Sequence, residues 1–148
     1  MTTGSLKGIA IRSASRAPMS LLDSVEISPA GGTQGDFRGK HRSRQVTLLS
    51  VEDWQDTCAE LGEELHWTVR RANLLVEGMR FENSTKKQIQ IGEVLLEVTG
   101  ETDPCDRMDE AAPGLYQALL PQWRGGACCR VIKAGTISLE DEVRFASE

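Results

Sequence analysis

The sequence predicts a mostly β domain with a few short helices, closed as a barrel or packed as a compact sandwich. Three observations carry this: many short strand-like segments, glycine-rich turns between them with 14 glycines in 148 residues, and only two helical stretches. The length is that of one ordinary domain, long enough to bury a core. Hydrophobic residues at 39% and charged residues at 26% are ordinary globular values. One domain over 1–148 is expected, with flexible tails at 1–5 and 146–148.

Leu6–Arg12 predicts the first strand and Val25–Ile27 the second, with turn-forming residues from Ser13 to Ser20 between them. Ala30–Asp36 is a glycine-rich loop in which several residues need positive φ. Gln45–Leu49 is the next strand. Ser50 then has the character of a helix N-cap, with Glu52 and Asp53 as first-turn acids, a helix over Val51–Leu61 and Gly62 ending it. That helix aligns Trp54, Cys58 and Leu61 on one stripe, which makes Cys58 a packed thiol. Strands follow at Asn73–Glu77, Gln88–Ile91 and Val94–Thr99, the last two joined by a Gly92-Glu93 turn. A short helix over Pro113–Leu120 is closed by Pro121, and strands near Cys128–Ile132 and Glu142–Phe145 complete the chain.

With 17 basic and 22 acidic residues the net charge is −5, which opposes nonspecific binding to nucleic acid or an anionic membrane. No segment has the length and apolarity of a membrane span or a secretory signal, so a cytoplasmic protein is expected, its four cysteines as free thiols. The basic residues are nevertheless clustered. Arg38, Lys40, His41, Arg42 and Arg44 occur without an intervening acid, and Arg70-Arg71 are a second pair. The first cluster is either part of a ligand mouth or a solvated loop.

The sequence offers no structural zinc site, because it has no cysteine pair of the C-x2-C kind and His41 and His66 stand alone. Cys128 and Cys129 are adjacent and should point to opposite faces of a strand, one buried and the other exposed or lining an opening. No nucleophile elbow, Walker loop or dinucleotide fingerprint is present, and nothing fixes the separation of Glu101 and Asp103 as a hydrolase pair. Cys105 differs from the other cysteines. Gly100 and Pro104 break the preceding strand, which places it on a shaped loop at a strand end. Arg107 would favour its thiolate, whereas Asp103 and Asp106 would oppose it.

Several segments, in order along the chain, carry a resemblance. They are Gly35-Asp36, Arg44–Ser50, Arg71–Gly78, Ile91–Thr99, Pro104-Cys105, Trp123–Gly126, Cys129–Val131, then Gly135 and Ile137. The chain resembles the MOSC family, the domain found at the C-terminus of molybdenum cofactor sulfurases. One departure is Glu140-Asp141, where the family often has a Gly-Asp turn. The resemblance implies a barrel-like fold and a molybdenum cofactor (molybdopterin), with no room in these residues for a pyridoxal-phosphate domain. It implies that Cys105 is a molybdenum ligand and that Arg71 and Asn73 contact the cofactor. Arg44, Gln45 and Asp103 are further contact candidates.

The functions so implied are reduction of N-hydroxylated compounds, with electrons from an external donor protein, or non-catalytic carriage of cofactor or persulfide sulfur on Cys105. A binding or scaffold domain without a reaction is the third. The expected partners are a small-molecule substrate or cofactor and an electron- or sulfur-donor protein, with neither nucleic acid nor membrane.

Overall fold

The computed structural model describes residues 3–146. Its strands are β1 (Thr3–Ile11), β2 (Ser20–Leu22), β3 (Ser24–Ser28), β4 (Gly32–Thr33), β5 (Val46–Ser50), β6 (Leu74–Glu77), β7 (Gln88–Ile91), β8 (Val94–Glu101), β9 (Ala127–Lys133), β10 (Gly135–Ser138) and β11 (Glu142–Phe145). Helices are α1 (Val51–Leu61), α2 (Met108–Ala111) and α3 (Leu115–Leu119), with 3-10 turns at Trp67–Arg70 and Pro121–Trp123. Among the described residues, seven strands run in the order β11-β7-β8-β9-β5-β6-β1, and pairing of β1 with β11 closes them into a barrel. β2 extends the sheet beyond β1, and β10-β3-β4 form a separate small sheet.

Closure leaves the seven strands without a free edge. The interior is filled by side chains such as Leu6, Leu48, Leu74, Ile89, Leu96 and Val143, all fully buried. A second apolar cluster lies outside the barrel, where Leu49 meets Trp54, Leu115 and Leu119 from α1 and α3. β5 passes between these two clusters, which is why all five of its residues are buried although their side chains alternate. It pairs in parallel with β6, and α1 supplies the crossover such a pair requires.

α1 has the ends its sequence indicates. Ser50 Oγ accepts the Asp53 backbone N–H at 3.2 Å, and Gly62 closes the helix in the left-handed conformation. The predicted strands are present with boundaries shifted by a few residues, and β2, β4 and β10 are additional. The second helix differs from expectation. It is present as α3, shortened to Leu115–Leu119 because Gly114 has φ +89°, and α2 over Met108–Ala111 is an additional turn that ends at the extended Ala112.

Thr3, Gly4 and Ser5, expected in a tail, are strand residues that pair with Arg144, Val143 and Glu142. Residues 1, 2, 147 and 148 of the expected tails lie outside the described residues. The Glu140-Asp141 departure preserves a tight turn, because Glu140 itself adopts φ +76° and Asp141 Oδ2 accepts the Ser138 N–H at 2.8 Å.

Candidate functional site: an arginine-lined cavity

Five chain segments meet around one cavity of about 390 Å³. They follow β1, precede β5 and β6, follow β8 and precede β9. Arg12 comes from the end of β1, Arg38 and Arg44 from the loop before β5, Arg70 and Arg71 from the turn before β6, and Cys105 from the loop after β8. Glu110 also reaches this lining, but it faces Arg16 at 3.5 Å on the exposed rim. Among the described residues none of the five inner arginines forms an ion pair with a carboxylate.

Local chemistry holds these guanidiniums together despite their repulsion. Asp36 accepts the backbone N–H groups of Arg12 at 3.0 Å and Arg38 at 3.2 Å, which ties the glycine-rich loop to the end of β1. The Phe37 ring between them receives the Arg12 and Arg38 guanidiniums at 4.7 and 5.0 Å from its centroid. Burial, followed by the charges of Arg71 and Arg38, pushes Arg12 down to about 10. Burial pushes Arg38 and Arg71 down as well. All remain charged at neutral pH, so the cavity is a concentrated positive field in an acidic chain. The Nε atoms of Arg38 and Arg44 are buried and, among the described residues, have no hydrogen-bond partner. An unsatisfied buried donor of this kind is costly.

Arg71 takes the left-handed conformation, φ +69°, as it caps the turn at Trp67–Arg70. Strain of this kind in a non-glycine residue persists where the surroundings hold it, here the Arg71 N–H to Thr68 O bond at 2.9 Å and a guanidinium hydrogen bond to Ala17 O. Arg70 is directed inward and is only 5% exposed. Its Nε donates to Gly125 O at 3.0 Å and its Nη2 to Thr102 O at 2.9 Å. Gly125 is required there, since a Cβ would come within 2.5 Å of Thr102 O and 3.0 Å of Arg70 Nη2.

The structure therefore unites Cys105, Arg71 and Arg44 in one cavity, but not every expected residue. Asn73 was expected in the same cleft and lies instead just before β6, bonded to the neighbouring strands. Its Oδ1 accepts the Thr47 N–H at 3.0 Å and its Nδ2 donates to Ala10 O at 3.1 Å, so its amide joins β5 to β1. The Gln45 side chain donates to Pro29 O at 2.7 Å and Gly39 O at 3.0 Å and accepts the Val131 N–H at 2.8 Å. Neither lines the cavity. Asp103 is exposed on the Cys105 loop and is also outside the lining.

Of the basic loop, Arg38 and Arg44 face the cavity, while Lys40, His41 and Arg42 are exposed away from it. Cys128 and Cys129 do face opposite ways, yet both are buried. Cys129 points into the core, and Cys128 lies against the Thr102 hydroxyl at 3.3 Å. Sequence reasoning missed the placement of Arg12 and Arg70. The signals were slight, an arginine at a strand end and the first member of a basic pair.

Among the described residues, no three or more His, Cys, Asp or Glu side chains gather as a metal cluster. A metal held in this cavity would therefore bring most of its own ligands and take one thiolate from the chain. No helix among the described residues is long and apolar enough to cross a membrane.

The wider likeness agrees with this architecture. The YUAD protein from Bacillus subtilis superposes with a TM-score of 0.80 at 21% identity, over 95% of this chain and 94% of that one. YiiM from Escherichia coli gives 0.74 at 16% identity, over 97% and 70%. YiiM from Geobacillus stearothermophilus gives 0.69 at 14%, over 97% and 73%. At these identities the likeness is one of fold. No curated protein matches the chain. A family model, the MOSC domain, matches residues 32–144, which include the loop of Arg38 and Arg44, the turn of Arg70 and Arg71, and Cys105. With the closed barrel and that match over most of its length, the chain belongs to the MOSC domain family.

Proposed function

We propose that the cavity binds a molybdenum–pterin cofactor, with Cys105 as the protein's ligand to the metal, and that the protein so loaded reduces N-hydroxylated compounds. The observation that carries this reading is that Arg38 and Arg44, whose Nε donors are buried without a partner among the described residues, line the same cavity as an exposed thiol. A phosphate on the cofactor matches those donors in charge and hydrogen-bonding capacity. Arg12 and Arg71 add charge to the grip. Asp103 offers an acceptor at the rim, while Gln45 and Asn73 shape the site from the residues just before β5 and β6. When bound, the cofactor supplies oxygen-atom transfer chemistry, with electrons from a separate donor protein. The chain's own residues orient the ligand and hold its negative charge. The free thiols suit a cytoplasmic setting.

Exposure of Cys105 favours a second reading, in which its thiolate carries persulfide sulfur without turnover. One experiment separates the two. The protein is made in a host that synthesises the cofactor, and molybdenum, pterin and Cys105-bound sulfur are measured together. Near-stoichiometric molybdenum that disappears in a folded Cys105→Ser variant is the expected result. Undiminished molybdenum in Cys105→Ser sinks the ligand role, and persulfide on Cys105 without molybdenum assigns the chain to sulfur carriage.

A further inference from the structure

Arg70 is unlike the other arginines of the cavity. It is the most enclosed of them, and carbonyl oxygens take its donors where a carboxylate would neutralise it. A buried guanidinium without a counter-charge is expensive to keep. Two carbonyl hydrogen bonds and one contact to Met108 Sδ at 3.9 Å need only neutral donors. Holding a loop does not by itself explain a full positive charge.

The partners of Arg70 suggest what does. Thr102 lies three residues before Cys105, Met108 lies three after it, and Gly125 lies on the segment entering β9. One side chain thus contacts both flanks of the Cys105 loop and the strand segment beside it. Arg70 and Cys105 also line the same cavity, and the charge of Arg70 is opposed there by Arg44 and favoured by Cys128, Cys105 and Asp103. Burial, with Arg44 second, pushes its guanidinium down to about 10, still charged at neutral pH.

We propose that Arg70 is a positioning residue for Cys105, holding the loop through Thr102 and Gly125 and supplying a buried positive charge toward the anionic group formed or bound at the sulfur. This deepens the reading of the Cys105 site and rests on it only in naming Cys105 as the working thiol. Arg71, its neighbour in sequence, faces the open cavity and acts on the incoming anion. Arg70 acts through the loop and its field.

The test uses protein made without cofactor, so its outcome is independent of cofactor loading. Alkylation of Cys105 is followed by mass spectrometry at one fixed pH, with iodoacetate (anionic) and iodoacetamide (neutral) in parallel. The two reagents are close in size, so the ratio of their rates cancels access and reports the local positive field. In a folded Arg70→Gln protein the iodoacetate-to-iodoacetamide ratio should fall roughly three- to tenfold, the effect of one unit charge several ångströms away at a partly exposed site. Arg70→Lys should keep the ratio within about twofold of wild type, since it keeps the charge. It should also speed hydrogen exchange at the Thr102 amide, because one ammonium cannot reproduce the fork between two carbonyls. An unchanged ratio in folded Arg70→Gln overturns the proposal. Should Arg70→Gln fail to fold, Arg70→Lys decides: a retained ratio with faster Thr102 exchange supports the assignment. A lost ratio, or an unchanged exchange rate, overturns it.

Discussion

Two arginines six residues apart on one loop, Arg38 and Arg44, have guanidinium Nε atoms buried without a partner among the described residues, while Arg42 between them faces solvent. This contrast separates a binding role from a general basic character. Charge-assisted hydrogen bonds are worth roughly 1.5–3 kcal/mol, so Arg44→Ala should weaken binding of an anion such as pyrophosphate about tenfold or more. Arg42→Ala should change it by less than about twofold at physiological salt, because a solvated charge at that distance is screened. Titration calorimetry of both variants checks this, and equal losses would return the loop to a diffuse electrostatic role. Phe37 is the other residue whose meaning is local, since its ring keeps Arg12 and Arg38 stacked where their charges alone would separate them.

Among the elements, the junction of β1, β5 and β6 illustrates how a motif residue can serve the scaffold. Asn73 resembles a cofactor contact in the family pattern, yet its side chain bonds Thr47 and Ala10 and its backbone N–H reaches Thr47 Oγ1 at 3.0 Å. These bonds join strands on both sides of β6 just behind Arg70 and Arg71. Asn73→Ala would leave the Thr47 N–H without its partner in a buried setting, and should destabilise the protein by about 2–4 kcal/mol. Urea unfolding measures the cost. A variant of native stability that fails only in ligand binding would assign Asn73 to the ligand after all. The turn at Trp67–Arg70 has a comparable division of labour, directing Arg70 into the protein and Arg71 into the cavity on consecutive residues.

At the level of the whole molecule, closure of the barrel isolates Cys129 completely from water. Burial, with Cys128 second, raises its thiol well above the ordinary value of 9.0. The folded chain therefore holds this proton after the unfolded chain has released it. Stability from this group is fully present below pH 9.0 and falls as pH rises beyond it, by up to roughly 1.4 kcal/mol per pH unit. Urea midpoints between pH 7 and 10 should show that alkaline slope, and Cys129→Ala should flatten it while lowering stability at every pH through the cavity it leaves. A slope unchanged in Cys129→Ala would assign the loss to other groups.

Local patterns were enough to determine the strand-rich character, the helix over Val51–Leu61 with its Ser50 cap and Gly62 stop, and the placing of Cys105 on an exposed loop after β8. Periodicity, capping and turn chemistry act within a few residues and are legible there. Short strands such as β2, β4 and β10 were not, because so few residues carry no periodic pattern of their own and only pairing with β1 or β3 defines them. The same holds for the site. Arg12, Arg38, Arg44, Arg70 and Arg71 are scattered along the chain, and only the side-by-side pairing of β8, β9, β5, β6 and β1 brings their segments to one cavity. Which basic residues face the cavity and which face water, and whether an amide such as Asn73 meets a ligand or a neighbouring strand, depend on hydrogen bonds between segments far apart in sequence. Those contacts exist only in the folded molecule, and they decided the division between the arginines that can bind and the polar residues that hold the barrel together.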